Sequence, residues 1–270
     1  MLRDLPHTLL VVSGLDLATG LVCMQTERLF PSLPAQRRFR PGMIVDLAYS
    51  YLAALVAAAT AAVGFDAAIN RLGAHPALAS MQHHVAGLSF VVGLLVATVI
   101  TDFTGYWKHR LLHTRFLWPF HAVHHSSEEV DWLSNERFHP VEMFFTTSFF
   151  IVPLVVLGFP GHVIAWTTQI RRLHSIYEHT NTKIDYGRVH HVLVSPMLHR
   201  WHHSSHPEWV DTNYANIFAL FDWVFGTLKV PTEAPPAGGF GVTGYPRDFW
   251  RQLWRPFRDG IDLLRGHGAA

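Results

Sequence analysis

Cysteine is almost absent from this chain: Cys23 is the one cysteine in 270 residues. An internal disulfide framework and a cysteine-rich metal site are therefore excluded. Charge is scarce too. Asp, Glu, Lys and Arg make up 15% of the residues and the formal net charge is +1, whereas an ordinary soluble domain is roughly 25% charged. A nucleic-acid binder has no electrostatic case on those figures. There is no His-Glu-x-x-His protease motif, no Gly-x-Ser-x-Gly elbow and no Walker loop, and no Gly-x-Gly-x-x-Gly opens a βαβ unit. Zinc proteolysis, serine hydrolysis, P-loop chemistry and a nicotinamide or flavin domain lose their usual signatures. A signal peptide is not expected, because no basic region precedes a clean small-residue cleavage site. Hydrophobic residues, in contrast, reach 49%, and 15 of the 20 histidines lie between His109 and His206. Such a composition excludes disorder and disfavours a plain soluble enzyme, and the length predicts one domain or at most two.

Four apolar stretches stand out, at Leu5–Met24, Met43–Phe65, His84–Trp107 and Phe144–Tyr177. Crossing ~30 Å of hydrocarbon takes ~20 mostly apolar residues. The second and third stretches meet that test; the first carries Asp16 and is weaker. The fourth is broken by Gly158-Phe159-Pro160-Gly161, which ends a helix and turns the chain. Its first half, Phe144–Leu157, is ~21 Å long as a helix and short for a full crossing. The expectation is a helical hairpin that enters the membrane and returns to the side it left. That topology puts 19 of the 21 basic residues on one side, leaving Arg3 and Arg71 opposite, and the positive-inside rule makes the richer side cytoplasmic. Apolar residues from Phe249 to Leu264 recur near helical period between Arg247, Arg251, Arg255 and Arg258. They predict an amphipathic helix interrupted at Pro256, lying either on the membrane surface or against the cytosolic part. The loop before it contains Pro235-Pro236 and Gly238-Gly239.

Three histidine boxes carry the chemistry: His109-Arg110-Leu111-Leu112-His113, His121-Ala122-Val123-His124-His125 and His199-Arg200-Trp201-His202-His203. Residues three and four apart share a helix face, so each box can aim its imidazoles at a metal. Eight imidazoles exceed the four ligands of a tetrahedral site, and two metals fit the count. Imidazole suits zinc, copper, iron and nickel alike, so ligand type alone does not choose among them. His179 and His139 stand close enough in sequence to complete a coordination sphere; His174, His190, His191 and His206 lack box spacing. His7, His75, His83, His84, His162 and His267 are expected at interfaces or in solvent. Asp102, seven residues before His109, is a costly carboxylate within an apolar helix. It either holds the ring N–H of a ligand histidine or pairs with a nearby arginine.

Together with their flanks, the boxes resemble the fatty acid hydroxylase and sterol desaturase superfamily. Asp102-Phe103 through Tyr106-Trp107-Lys108-His109-Arg110 is similar to that family's run into its first box. Arg137-Phe138-His139-Pro140 with Glu142 resembles its Arg-x-His-Pro-x-Glu segment, and His179-Thr180-Asn181 its His-x-Asn element. Ser195-Pro196 through His203-Ser204 resembles its third box, and Asp211, Asn213, Tyr214, Asp222, Phe225, Gly226 and Thr227 its closing segment. Ala215 stands where a glycine is common, and Phe221 where a tryptophan often precedes the aspartate.

The resemblance implies an all-α integral membrane protein: transmembrane helices over 1–94, a catalytic region with the three boxes over 95–230, and a C-terminal loop and amphipathic helix over 231–270. Transmembrane helices and a helical hairpin would carry a cytosolic, helical, histidine-rich metal-binding cap. The implied activity is that of a non-haem di-iron monooxygenase, which uses O2 and two electrons to hydroxylate or desaturate an unactivated C–H bond of a lipid drawn from the bilayer. His109, His113, His121, His124, His125, His199, His202 and His203 would bind the two irons, with His179 and His139 added. Asp102, Glu142, Asn181, Asp211 and Asp222 would stand behind those ligands or support the fold. Such chemistry needs a redox metal, which zinc is not, although zinc can replace iron during expression. Electrons would come from a separate ferredoxin, cytochrome or reductase. The basic face suits either an acidic donor or anionic lipid. Rival readings are a zinc-dependent membrane lipid hydrolase, a bis-histidine haem protein and a non-catalytic metal or lipid carrier.

Overall fold

Inside lipid a long apolar run can satisfy its backbone only as a helix or in a closed barrel, and the computed structural model of this chain takes the helical solution. It describes residues 5–71, 76–233 and 235–266, with side chains of 5–13, 61–71 and 77 excepted. The α-helices are α1 (Leu5–Leu29), α2 (Met43–Arg71), α3 (Pro76–Ala86), α4 (Phe90–Leu112), α5 (Trp118–His125), α6 (Pro140–Leu157), α7 (Gly161–Glu178), α8 (Pro196–His202), α9 (Leu220–Val224) and α10 (Phe249–Leu264). Among the described residues there is no strand, only isolated bridges between Pro31 and Thr182 and between Ser204 and Phe240. The residues 239–244 fit Gly-x-Gly-x-x-Gly by letter, but they form a loop with no strand before them. Arg3, His75 and His267, and the side chains of His7 and Arg71, lie outside the described residues.

Among the described residues, three helices are long and apolar enough to cross a membrane: Met43–Thr60, Phe90–Leu112 and Pro140–Leu157, with mean hydropathies of 1.6, 1.5 and 1.8. The third apolar stretch of the sequence is split between α3 and α4, where Ser89 accepts a hydrogen bond from the Val92 N–H and starts the longer helix. Helix α7 carries Gln169, Arg171, Arg172 and His174. Helix α1 answers it with Asp16, whose carboxylate accepts from Arg172 Nε at 2.8 Å and from Gln169 Nε2 at 3.0 Å.

A helical hairpin is present, but its first helix begins four residues earlier than expected, at Pro140, and is long enough to cross a membrane rather than short of it. Pro140 occupies the first turn of α6, where its missing N–H is harmless, and Gly158 ends it with φ of 85°. Gln82 of α3 donates to the Val156 carbonyl at 3.0 Å and packs so closely that a β-carbon at 158 would sit 2.7 Å from it. Pro160 then leads into α7. Both outer ends of the hairpin reach the same histidine cluster, α6 through Glu142 and α7 through His179. The C-terminal end of α4 meets it too, through His109, and near the start of α2 Asp46 pairs with Arg40 and Arg137 at 2.6 Å each. Arg40 also pairs with Asp131 at 2.6 Å, so the α1–α2 loop is clamped to the segment after the second box. In a Cys23→Ser background, cysteines at exposed Arg115 and Ser205 are expected to react with an impermeant maleimide from one and the same side of the membrane. Labelling from opposite sides would show that the chain crosses between them.

Helix α10 runs without interruption from Phe249 to Leu264, with Pro256 inside it and buried. This corrects the expected break: a proline removes one backbone donor and bends a helix, and packing of the neighbouring turns offsets that loss. The inner face packs on α5 and α2, with Phe249 against Tyr49 (ring centroids 4.9 Å apart) and Phe257 against Phe120 (5.4 Å). Trp250, Trp254, Ile261 and Leu264 form an exposed apolar stripe on the other side.

Candidate metal centre

The four-residue spacing within a box keeps two side chains on nearly one helix face, whereas the three-residue step turns to the other flank. The fold uses both. His121 and His125 of α5 join His109 and His113 from the end of α4, and His202 of α8, in a group of five. His124 of α5 joins His199 and His203 of the third box, and His179 at the end of α7, in a group of four. The ligand atoms in each group lie within 4.8 Å of one another. The groups abut, with the His125 and His203 rings stacked at 4.4 Å.

Hydrogen bonds from Nδ1 turn five of the nine rings with Nε2 inward. Nδ1 of His109 donates to the Tyr214 carbonyl at 2.7 Å, and Nδ1 of His202 to the Thr212 carbonyl at 2.7 Å. Nδ1 of His121 donates to Glu142 Oε1 at 2.8 Å, that of His113 to Asp211 Oδ1 at 3.1 Å, and that of His179 to the Ser175 carbonyl at 2.7 Å. A neutral imidazole that donates from Nδ1 presents a bare lone pair at Nε2. Yet Nε2 of His109 and His121 stand 3.0 Å apart, and Nε2 of His179 is 3.0–3.1 Å from those of His124, His199 and His203. Nε2 of His113 and of His202 are buried without any partner. For His109 and His121, both held as Nδ1 donors, two lone pairs at that distance repel unless a cation lies between them; in the group of four, three ring nitrogens converge on the bare Nε2 of His179 at the spacing of metal ligands. A metal with bonds of about 2.1 Å sets neighbouring ligand nitrogens roughly 3.0–3.4 Å apart. The residues present therefore fit two metal ions.

Burial also prepares the ligands. It holds His121, His124, His125, His199, His202 and His203 well below the ordinary histidine range and pushes His179 down to about 4. Neutral imidazole is the form that binds metal. The unfolded chain takes up protons near the ordinary value of about 6.5 while the folded chain does not, so folding stability of the metal-free protein is greatest above that value. It is expected to fall steadily as the pH drops from 6.5 towards 4, readable as a declining thermal midpoint in detergent.

The loop after the third box forms the backing of the five-histidine group. Asp211 and Asn213 adopt positive φ of 60° and 58°, a region that Asp and Asn tolerate better than most residues. Asp222 accepts from the Tyr214 and Ala215 N–H groups at 2.7 and 2.9 Å, so it shapes this loop and touches no histidine. Glu142 is placed directly behind His121. Glu142→Ala is expected to weaken metal binding by the five-histidine group about 10–100-fold in chelator competition.

Three expected residues are placed elsewhere. His139 joins neither group: it caps α6, with Nδ1 accepting from the Val141 N–H at 3.2 Å and Nε2 donating to the Leu253 carbonyl of α10 at 3.1 Å. Both ring nitrogens are thereby occupied. Asp102 holds no histidine and takes the other of its two expected roles, pairing with an arginine: it accepts from Arg171 Nη1 at 2.6 Å, and also from the Ile217 and Phe218 N–H groups at 3.1 and 2.7 Å. Asn181 exchanges hydrogen bonds with the Leu33 backbone at 2.9 and 3.0 Å and tethers the loop after α1. His190 receives the Ser195 hydroxyl at 2.8 Å and so supports the N-cap of α8, while His83, His84, His162, His191 and His206 are exposed. Sequence reading passed over Glu178, buried beside His199, because it belongs to no box. It also passed over the carbonyls of Ser175, Thr212 and Tyr214, because backbone acceptors leave no residue signature.

Comparison with known proteins identifies the family. Residues 94–227 match the family described as fatty acid hydroxylase. An ornithine lipid hydroxylase of Rhizobium tropici is 30% identical over 250 residues, which covers 89% of this chain and 74% of that protein. The chain belongs to the fatty acid hydroxylase family. Two further relatives of this family member are more distant in extent. An alkylglycerol monooxygenase of Danio rerio is 33% identical over 163 residues, 58% of this chain and 36% of that protein. A methylsterol monooxygenase of Arabidopsis thaliana is 29% identical over 140 residues, 50% of this chain and 52% of that protein. The chain thus spans about a third to a half of the length of those two relatives. No solved structure matches it.

Proposed function

We propose that this chain is a membrane-bound, non-haem di-iron monooxygenase that uses O2 and two electrons to hydroxylate, or desaturate, an unactivated C–H bond of a lipid. The observation that carries the reading is the pair of all-histidine groups at the cap-side ends of α4, α6 and α7. Support comes from relatives named as lipid hydroxylases and monooxygenases. Iron held by His109, His113, His121, His125 and His202 on one side, and by His124, His179, His199 and His203 on the other, would supply the redox chemistry that activates O2.

The chain's own residues supply the rest. Glu142, Asp211 and the Tyr214 and Thr212 carbonyls fix ring orientation and tautomer. Burial of the histidines keeps bulk water from the reacting centre, which suppresses side reactions. The groups sit at the ends of α4 and α6, two helices apolar enough to span, which would let a bilayer lipid bring one carbon to the site without leaving the membrane. Positive charge on the cap side favours a cytoplasmic orientation, with electrons delivered there by a ferredoxin, cytochrome or reductase.

Metal content and Mössbauer spectra of iron-57 protein in detergent, followed by turnover of membrane lipids with and without O2 and reductant, test the reading. Two irons per chain and oxygen-dependent products support it. Turnover that proceeds without O2 after iron reconstitution would point to the hydrolase instead.

A further inference from the structure

The two histidine groups differ in how their rings are held from behind. In the group of five, Nδ1 of His109, His113, His121 and His202 each rest on an acceptor. In the group of four, His179 alone has such an anchor, at the Ser175 carbonyl. Nδ1 of His124, His199 and His203 are buried without a hydrogen-bond partner. The Arg137 backbone lies near His124 but outside hydrogen-bond geometry.

His199 shows how this group could be completed. Its Nδ1 stands 3.9 Å from Glu178 Oε2, and the same oxygen is 3.8 Å from Nδ1 of His174. All three atoms are buried and unpartnered. Those separations are too long for direct hydrogen bonds and suit one bridging water, which needs two to four polar partners. Glu178 is otherwise held by Asn216 Nδ2 at 2.6 Å on its Oε1 atom, which leaves Oε2 free for that role.

We infer that the four-histidine group is the exchangeable one of two unequal metal sites, and that Glu178 is the positioning residue that steadies its His199 through a bridging water. The inference rests on the reading of both groups as metal sites. Outer hydrogen-bond partners are each worth about 10–100-fold in metal affinity, and the four-histidine group has fewer of them as well as one ligand fewer.

The test uses full-length protein in detergent, loaded with two equivalents of Zn2+, challenged with EDTA and followed by protein-bound zinc. Two phases are expected, one ion leaving at least about tenfold faster than the other. Glu178→Ala should speed the fast phase about 10–100-fold and leave the slow phase alone, and Glu178→Gln, which keeps an acceptor oxygen, should restore much of the difference. Release of both ions from the wild-type protein in one phase overturns the inference, and does so whether or not the variants fold. An unchanged fast phase in a folded Glu178→Ala protein overturns the role of Glu178. Failure to hold zinc or iron at all would instead overturn the proposed function.

Discussion

His179→Ala is expected to lose one of two bound metal equivalents and to lower lipid turnover by more than the roughly hundredfold that removal of an outer hydrogen-bond partner costs. The reason is its central place in the four-histidine group. Nε2 of His179 lies 3.0–3.1 Å from the Nε2 atoms of His124, His199 and His203, so no other ring there touches as many of its fellows through hydrogen-bond distances. Its Nδ1–H is tied to the Ser175 carbonyl one turn back on α7, which fixes the ring without help from a distant element. Alanine leaves three imidazoles, too few for a closed structural site. The five-histidine group shares no ligand with it and should keep its ion, so metal analysis separates loss of one site from loss of the fold. Two equivalents retained at normal turnover would mean that His179 is not a ligand.

Asp102→Ala should fail at an earlier stage, in folding. The Asp102 carboxylate is wholly buried, pairs with Arg171 Nη1 at 2.6 Å and accepts two backbone N–H groups from the loop that runs towards α9. Alanine would strand the guanidinium of Arg171, which is buried between α4 and α6 and lies over the Phe150 ring at 4.2 Å. Breaking one side of a buried pair costs about 3–5 kcal/mol, and the two orphaned N–H groups add about 1–3 kcal/mol each. Against a total of roughly 5–15 kcal/mol, most of the protein should be lost to aggregation on extraction, with a thermal midpoint lowered by about 10 °C or more in what remains. Removing both partners, in Asp102→Leu with Arg171→Met, should recover much of the loss of the charge pair, since no buried charge is left alone. Size-exclusion yield and thermal melts of the two variants decide the matter. Equal behaviour of the single and double variants would show that the ion pair is not what holds this region.

The course of the chain was largely legible without coordinates. Apolar runs of span length can satisfy their backbone in lipid only as helices, and Gly158 and Pro160 are punctuation whose local geometry forces the hairpin turn. The box spacings likewise announce helices with imidazoles in register, because side-chain direction repeats with the helical turn. Every such inference depends on contacts within a few residues. Sorting the box histidines into a group of five and a group of four needed α4, α5, α7 and α8 to be packed together, since His124 leaves its box neighbours for His179 and His202 leaves its own for His109. The same holds for the residues behind them. His139 is claimed by the Leu253 carbonyl, Asp102 by Arg171 and the loop at Ile217, and His113 by Asp211, partners 69 to 115 positions away. Local spacing cannot reveal such partners, because which polar atom a buried side chain meets depends on how distant helices stack. The sequence by itself determined that this protein is helical, suited to a membrane and rich in imidazole ligands; the tertiary packing decided which nitrogens converge and what holds each ring in place.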